Sequence, residues 1–344
     1  MNGSPYTQSA NNSVRITMIK VLVALIPGIA AHAWFFGPGI WVSLIVCSLI
    51  AIFYESLALV MRGYPQKPFL SDGSVIVTAW LFALSVPTLA PIWLYAVGLL
   101  FAVLVAKHLY GGLGQNPFNP AMVGYAVLIV SFPTYMTQWP APLQLATHMP
   151  SLANAVDMVF AGSGSISIDA YTLATPLDTL KTLGRAGQSG TEIFNQPIFG
   201  LIAGKGGEWV AAAYLLGGLL LLGNRVFTWH VPIAYLASVA LTATLVQAID
   251  PSQHANAWFH LFSGGVMLGA FFIATDPVSG STTPLGKLIF AGVAGFITVM
   301  IRDYGGYPDG VAFSILLMNI AAPFIDTYTQ PRVFGHAKGG KVGK

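Results

Sequence analysis

The sequence predicts an all-α polytopic membrane protein, with about ten transmembrane helices in a five-plus-five inverted-topology repeat. Three observations carry that prediction. Of 344 residues, 55% are hydrophobic and only 8% charged, with a mean hydropathy of +0.70, whereas soluble domains carry about 25% charge. Apolar runs approaching the roughly 20 residues that a helix needs to cross hydrocarbon recur along the chain. Sliding the chain on itself by about 190 to 194 residues lays Ser71-Asp72-Gly73 on Ser263-Gly264-Gly265 and Tyr110-Gly111-Gly112 on Tyr304-Gly305-Gly306.

The runs place spans near 18 to 35, 38 to 61, 73 to 87, 92 to 109 and 118 to 133. Five more lie near 208 to 222, 229 to 248, 258 to 275, 286 to 301 and 309 to 325. The third and eighth stop in the same way, at Val86-Pro87 and Asp276-Pro277, and the fifth and tenth close on Ser131-Phe132-Pro133 and Ala321-Ala322-Pro323. Five spans separate equivalent elements, so the halves must cross the bilayer in opposite directions, and such folds work at the interface between repeats. Chance recurrence of Gly and Pro, in a chain with 37 Gly and 22 Pro, is the competing account.

Charge orients the bundle. With the N-terminus inside, Arg15, Lys20, Arg62, Lys67, Lys107, Arg225, Lys287, Arg332, Lys338, Lys341 and Lys344 fall on the cytoplasmic side. Lys181, Arg185, Lys205 and Arg302 fall outside, three of them in a long loop that such a bias discounts. The expected organisation is a cytoplasmic segment 1–17, a first repeat 18–133, an outer loop 134–207, a second repeat 208–325 and a basic cytoplasmic tail 326–344. Residues 1–14 are polar and show no cleavable apolar core, so the first span is expected to stay as an anchor.

Cys47 is the only cysteine and lies in the apolar run from Ile40 to Ile52. The chain alone can form neither a disulfide nor a four-thiolate iron-sulfur site, and its seven His lack paired ligand spacing. Cys47 reads as a small buried apolar residue. A net charge of +3 points to no acidic partner and no nucleic acid. If this chain moves electrons, an organic cofactor must carry them.

Two segments, Gly111-Gly112-Leu113-Gly114-Gln115-Asn116-Pro117-Phe118-Asn119-Pro120 and Gly305-Gly306-Tyr307-Pro308-Asp309-Gly310, cannot be regular helix throughout. Irregular backbone at membrane depth is tolerated when buried in protein or lining a wet cavity, where it can meet ions. Helix initiation at Asn119-Pro120 and Pro308 explains them equally well. Charged residues within spans are costly and default to functional candidates. Glu55 near the end of the second span and Asp276 after the eighth therefore join Asn116, Asn119 and Asp309 as candidates for an ion path, against the alternative that Glu55 pairs locally and Asp276 caps a helix. His32 reads as an ordinary polar contact near the outer surface.

In the long loop, Asp169-Ala170-Tyr171-Thr172-Leu173-Ala174-Thr175-Pro176-Leu177 resembles a flavin-transferase recognition pattern. Asp169, Thr172, Ala174 and the acceptor Thr175 fill its places, and Leu173 stands where the pattern usually has Gly. A loop stabilised by Asp and Thr side chains is the plainer account. Together with Gly112 to Tyr125, Phe259 to Gly264, Ala270 to Pro277, Gly305 to Phe313 and Asn319 to Pro323, the motif makes nearly the whole chain similar to a family: the RnfD membrane proteins of the Rnf electron-transport complex, related to the NqrB proteins of the Na+-translocating NADH:quinone oxidoreductase.

That resemblance implies an inner-membrane component of an ion-translocating NADH:ferredoxin-type oxidoreductase. FMN would be joined to Thr175 as a phosphoester, with room in the family for a second, noncovalent flavin such as riboflavin. Its implied partners are a second flavin subunit, iron-sulfur subunits and a flavin transferase. A flavin, and no catalytic side chain, would carry the redox chemistry. An inverted-repeat solute or ion channel without a redox cofactor is the reading from a different class.

Overall fold

The computed structural model describes residues 5–161, 168–251 and 253–331. The first repeat runs α1 (Pro5–Phe36), α2 (Gly39–Met61), α3 (Gln66–Leu70), α4 (Ser74–Ala83), α5 (Ile92–Leu99, continuing with π-helical winding over Leu100–His108) and α6 (Pro120–Ser131). The connecting loop holds α7 (Pro133–Met136), strand β1 (Trp139–Pro140), α8 (Leu152–Ala161), strand β2 (Thr172–Leu173), α9 (Pro176–Arg185) and α10 (Gly190–Phe194). The second repeat runs α11 (Gly207–Gly223), α12 (His230–Ile249), α13 (Ala257–Phe262), α14 (Val266–Leu268, continuing with π winding over Gly269–Ile273), α15 (Pro284–Tyr304) and α16 (Val311–Thr329).

The protein is a polytopic all-α membrane protein. Among the described residues, five helices are long and apolar enough to cross a bilayer: residues Val14–Phe36 of α1, together with α2, α12, α15 and α16. Their surfaces are turned for lipid. On α2, Ile45, Leu49 and Phe53 form an exposed stripe at helical spacing, while Val46, Cys47 and Ala51 point into the core. Cys47 is fully buried, as expected. Helices pack closely where glycine permits: a Cβ on Gly217 of α11 would lie 2.0 Å from the carbonyl oxygen of Ala24 on α1.

One expected span is not a continuous helix: the eighth splits into α13 and α14 at Ser263-Gly264-Gly265. The third, expected from 73 to 87, is the short α4, and a separate helix, α3, precedes it across the aligned triplet Ser71-Asp72-Gly73. Both breaks turn on a left-handed glycine, Gly73 at φ +80° and Gly264 at φ +58°. Helix α4 has only 10 residues, about 15 Å of length against about 30 Å of hydrocarbon. Apolar runs in the sequence cannot reveal such breaks, because Gly and Ser dilute hydropathy very little. Helix α1 also begins at Pro5, inside the segment expected to precede the first span, and Arg332, Lys338, Lys341 and Lys344 of the basic tail lie outside the described residues.

Candidate functional site

The motif loop is held by a short antiparallel pair, Trp139 opposite Leu173 and Pro140 opposite Thr172. Thr172 spends its hydroxyl on the carbonyl of Ile168 at 3.3 Å, and Asp169 sits exposed in a single 3-10 turn. Thr175 then caps α9, its hydroxyl accepting from the Asp178 amide at 3.1 Å, with Pro176 supplying the favoured first helical residue. The same hydroxyl donates to Asp178 Oδ2 at 2.7 Å. Gly204 holds this helix start down, since a Cβ there would lie 2.1 Å from Pro176 Cγ.

Ala174, Thr175 and Asp178 line a cavity of about 220 Å³. Both repeats build it: Ser85, Met122 and Tyr125 come from the first, and Gly264, Leu268 and Val311 from the second. Most of its lining is apolar, with a few polar groups, which is the usual composition of a cofactor pocket. Lys205 is one of those groups. It is half-buried, and among the described residues its ammonium makes no hydrogen bond or ion pair. His32 is another: its buried Nδ1 has no hydrogen-bond partner among the described residues, and its ring packs on Phe36.

The five ion-path candidates separate into three places. Asp309 lines the cavity, takes the Gly265 amide at 2.7 Å and pairs with Arg302 at 3.0 Å. Asp276 and Asn119 meet where the repeats join: Asn119 Nδ2 approaches Asp276 Oδ2 at 3.5 Å, and the Asn119 amide donates to Asn319 Oδ1 at 3.0 Å. Asp276 also takes the Val278 amide and the Ser279 hydroxyl, satisfying its own chain end. Asn119 further caps α6 through the Met122 amide, and Asn116 turns to the Phe118 carbonyl. Glu55 is buried with Lys107 at 2.8 Å and His108 at 2.8 Å, so its partner is the π-wound end of α5.

Sequence reasoning passed over Asp178, Lys205, Lys107, His108 and Arg302 as site-building residues. The first had a signal, since Thr175 to Asp178 has the spacing of a helix-cap pair. Nothing local marks Lys205, which reaches the cavity only through the fold of the loop.

The profile of the NQR2, RnfD, RnfE family matches residues 1–335. The chain belongs to that family. It is 49% identical over 346 residues, 98% of both chains, to the D-type subunit of the ion-translocating oxidoreductase complex of Escherichia coli O1:K1. The protein of the same description from Escherichia fergusonii is also 49% identical over 98% of each chain.

Proposed function

We propose that this chain is the membrane subunit of a multisubunit, Rnf-type ion-translocating oxidoreductase and carries FMN as a phosphoester on Thr175. The observation that carries the reading is the position of Thr175: it is the acceptor residue of the flavinylation-like motif, and it lines the cavity that both repeats build. The residues present fit the group. Lys205 offers an unengaged ammonium to a phosphate, while Met122, Tyr125 and Leu268 offer an apolar bed to a ring. Bound FMN would supply reversible redox chemistry that side chains lack. The chain itself anchors, orients and partly excludes water from that group. With one cysteine, it depends on iron-sulfur and second-flavin partner subunits for electrons, and on a flavin transferase for maturation.

The charge bias supports an inner-membrane orientation with both termini cytoplasmic and the Thr175 loop outside. The junction of Asp276, Asn119 and Asn319 between the repeats supports a place in the path of the coupling ion, Na+ or H+.

The test is Thr175→Ala in the full complex. In-gel flavin fluorescence should vanish and the denatured chain should lose one FMN-sized mass, while the protein still inserts at wild-type level. A fluorescent Thr175→Ala band sinks the assignment. An unflavinylated wild-type chain in a host with the transferase favours the channel reading.

A further inference from the structure

Two helix caps in the outer loop look alike in sequence and differ in wiring. Ser189 and Glu192 form an ordinary capping box: the Glu192 amide donates to the Ser189 hydroxyl and the Ser189 amide donates to Glu192 Oε2 at 3.1 Å. Thr175 and Asp178 share the spacing, but the carboxylate turns to the hydroxyl of its cap residue, at 2.7 Å. The side chain is one methylene shorter than Glu. The hydroxyl thus donates its proton to a carboxylate while its oxygen is fixed by the Asp178 amide at 3.1 Å, inside a cavity. A hydroxyl that only capped a helix would need just the second contact.

We infer that Asp178 is the residue that takes the proton of Thr175 when the phosphoester forms. This rests on reading Thr175 as the attachment point. An FMN ester needs a phosphoryl donor with a good leaving group, which a flavin dinucleotide has in its pyrophosphate. Thr175 Oγ1 attacks the flavin-side phosphorus, the new O–P bond forms, and the P–O bond to the adenylate breaks. AMP leaves with the electron pair, and the hydroxyl proton passes to Asp178 Oδ2. The contact is already at the distance general-base transfer requires. Burial pushes the Asp178 carboxyl above its ordinary range, and its bonds from Thr175 and the Lys181 charge hold it back. Desolvation makes the carboxylate a better base. The charged and titratable groups around it are Lys181 on its own helix, Asp309 beyond α15, and Lys205 and Tyr125 across the cavity.

The experiment uses the full chain in membranes from cells lacking the transferase, treated with purified transferase and flavin adenine dinucleotide. Covalent flavin is followed by in-gel fluorescence and intact mass. Asp178→Asn keeps the cap and the hydrogen-bonding shape but cannot take a proton. At neutral pH its initial rate should fall at least tenfold below wild type. The ratio should shrink as pH falls, because wild-type Asp178 becomes protonated while the transferase's own profile cancels. Ser189→Ala loosens the neighbouring cap and should flavinylate at the wild-type rate. An Asp178→Asn rate within twofold of wild type at every pH overturns the inference, as does a deficit independent of pH, or one equalled by Ser189→Ala. Those outcomes leave a dark Thr175→Ala control intact. Fluorescence in that control would instead remove the attachment reading itself.

Discussion

The two Tyr-Gly-Gly corners of the repeat show how one scaffold acquires two jobs. At Tyr110-Gly111-Gly112 the chain closes on itself: the Gly112 amide bonds Lys107 O at 2.9 Å and the Gly111 amide bonds His108 O at 3.1 Å. Lys107 then reaches the Ser74 hydroxyl at 3.1 Å, just past the break between α3 and α4, with Glu55 as its counter-ion. Neither Lys107 nor Glu55 lines the cavity. At Tyr304-Gly305-Gly306 the corner is completed from outside, by Lys181 and Arg185 of the loop, which donate to Gly305 O at 2.9 Å each. Arg302 there holds the carbonyls of His260 and Ser263 at 2.7 and 2.9 Å, and its partner Asp309 faces the cavity. Both corners lock a broken helix with a buried cation. The first lock stays apart from the cavity, and the second borders it through Asp309. The two corners share a buried cation and differ in that only the second is also gripped by the long loop.

Removing each cation tests this contrast most severely. Arg302→Met leaves Asp309 without its ion-pair partner and strips two carbonyls of donors. Loss of one member of a buried pair costs about 3–5 kcal/mol. Lys107→Met leaves Glu55 still paired with His108 at 2.8 Å, so roughly 1–3 kcal/mol is expected. Apparent thermal midpoints in detergent should fall in that order, and flavin incorporation should drop only in Arg302→Met. Equal losses of flavin would mean that the first lock also supports the cavity.

A finer cut is made at the two hinge glycines. Ala at either position must adopt a left-handed backbone, at about 1 kcal/mol. At Gly264 the new Cβ would also lie 2.4 Å from Asp309 Oδ2, whereas at Gly73 its nearest neighbour is Met18 Cβ at 3.4 Å. Gly264→Ala should therefore destabilise by about 2–4 kcal/mol and Gly73→Ala by about 1 kcal/mol, measured by the same thermal shift. A reversed order would show that the second break is the more adaptable one.

Much of this was legible in the chain. Apolar runs located the helices of the bundle, five of which, among the described residues, are long and apolar enough to cross a bilayer, and the recurrence of Ser-x-Gly and Tyr-Gly-Gly marked the equivalent positions of breaks and corners. Thr175 stood out as a candidate acceptor because its motif is local. What could not be read were partners fixed by the fold: Glu55 and Lys107 are 52 residues apart, and Asn119 and Asn319 are separated by 200. Charge spacing along one helix carries no trace of such pairs. Asp178 was in reach of the sequence, since the Thr-x-x-Asp spacing announces a cap, yet only coordinates show the carboxylate choosing the hydroxyl over the amide.

The loop's grip on the second corner gives an intermediate test. Lys181 donates to the carbonyls of Ile301 at 3.2 Å and Gly305 at 2.9 Å, and to that of Tyr307. Lys181→Met removes these bonds and should loosen α9 by about 1–2 kcal/mol. Amide exchange should speed up over residues 176–185, with α2 and α12 unchanged. Unchanged exchange in α9 would mean that Pro176 against Gly204 suffices to dock it.

The smallest effect is a titration. Burial lowers the Lys181 ammonium from 10.5 to about 8, with Arg185 adding to the fall and Asp303, Asp178 and Asp309 opposing it. Between those two values the docked loop binds fewer protons than a free one, so stability rises with pH across that window, and the cost of burying the charge is felt in full below about 8. Acylation of Lys181, followed by peptide mass spectrometry against pH, should show a midpoint near 8. Asp303→Asn removes an opposing carboxylate and should move that midpoint lower still. A midpoint at the ordinary lysine value would mean that the loop leaves this amine in water, and the second corner would then be closed by its own backbone, as the first one is.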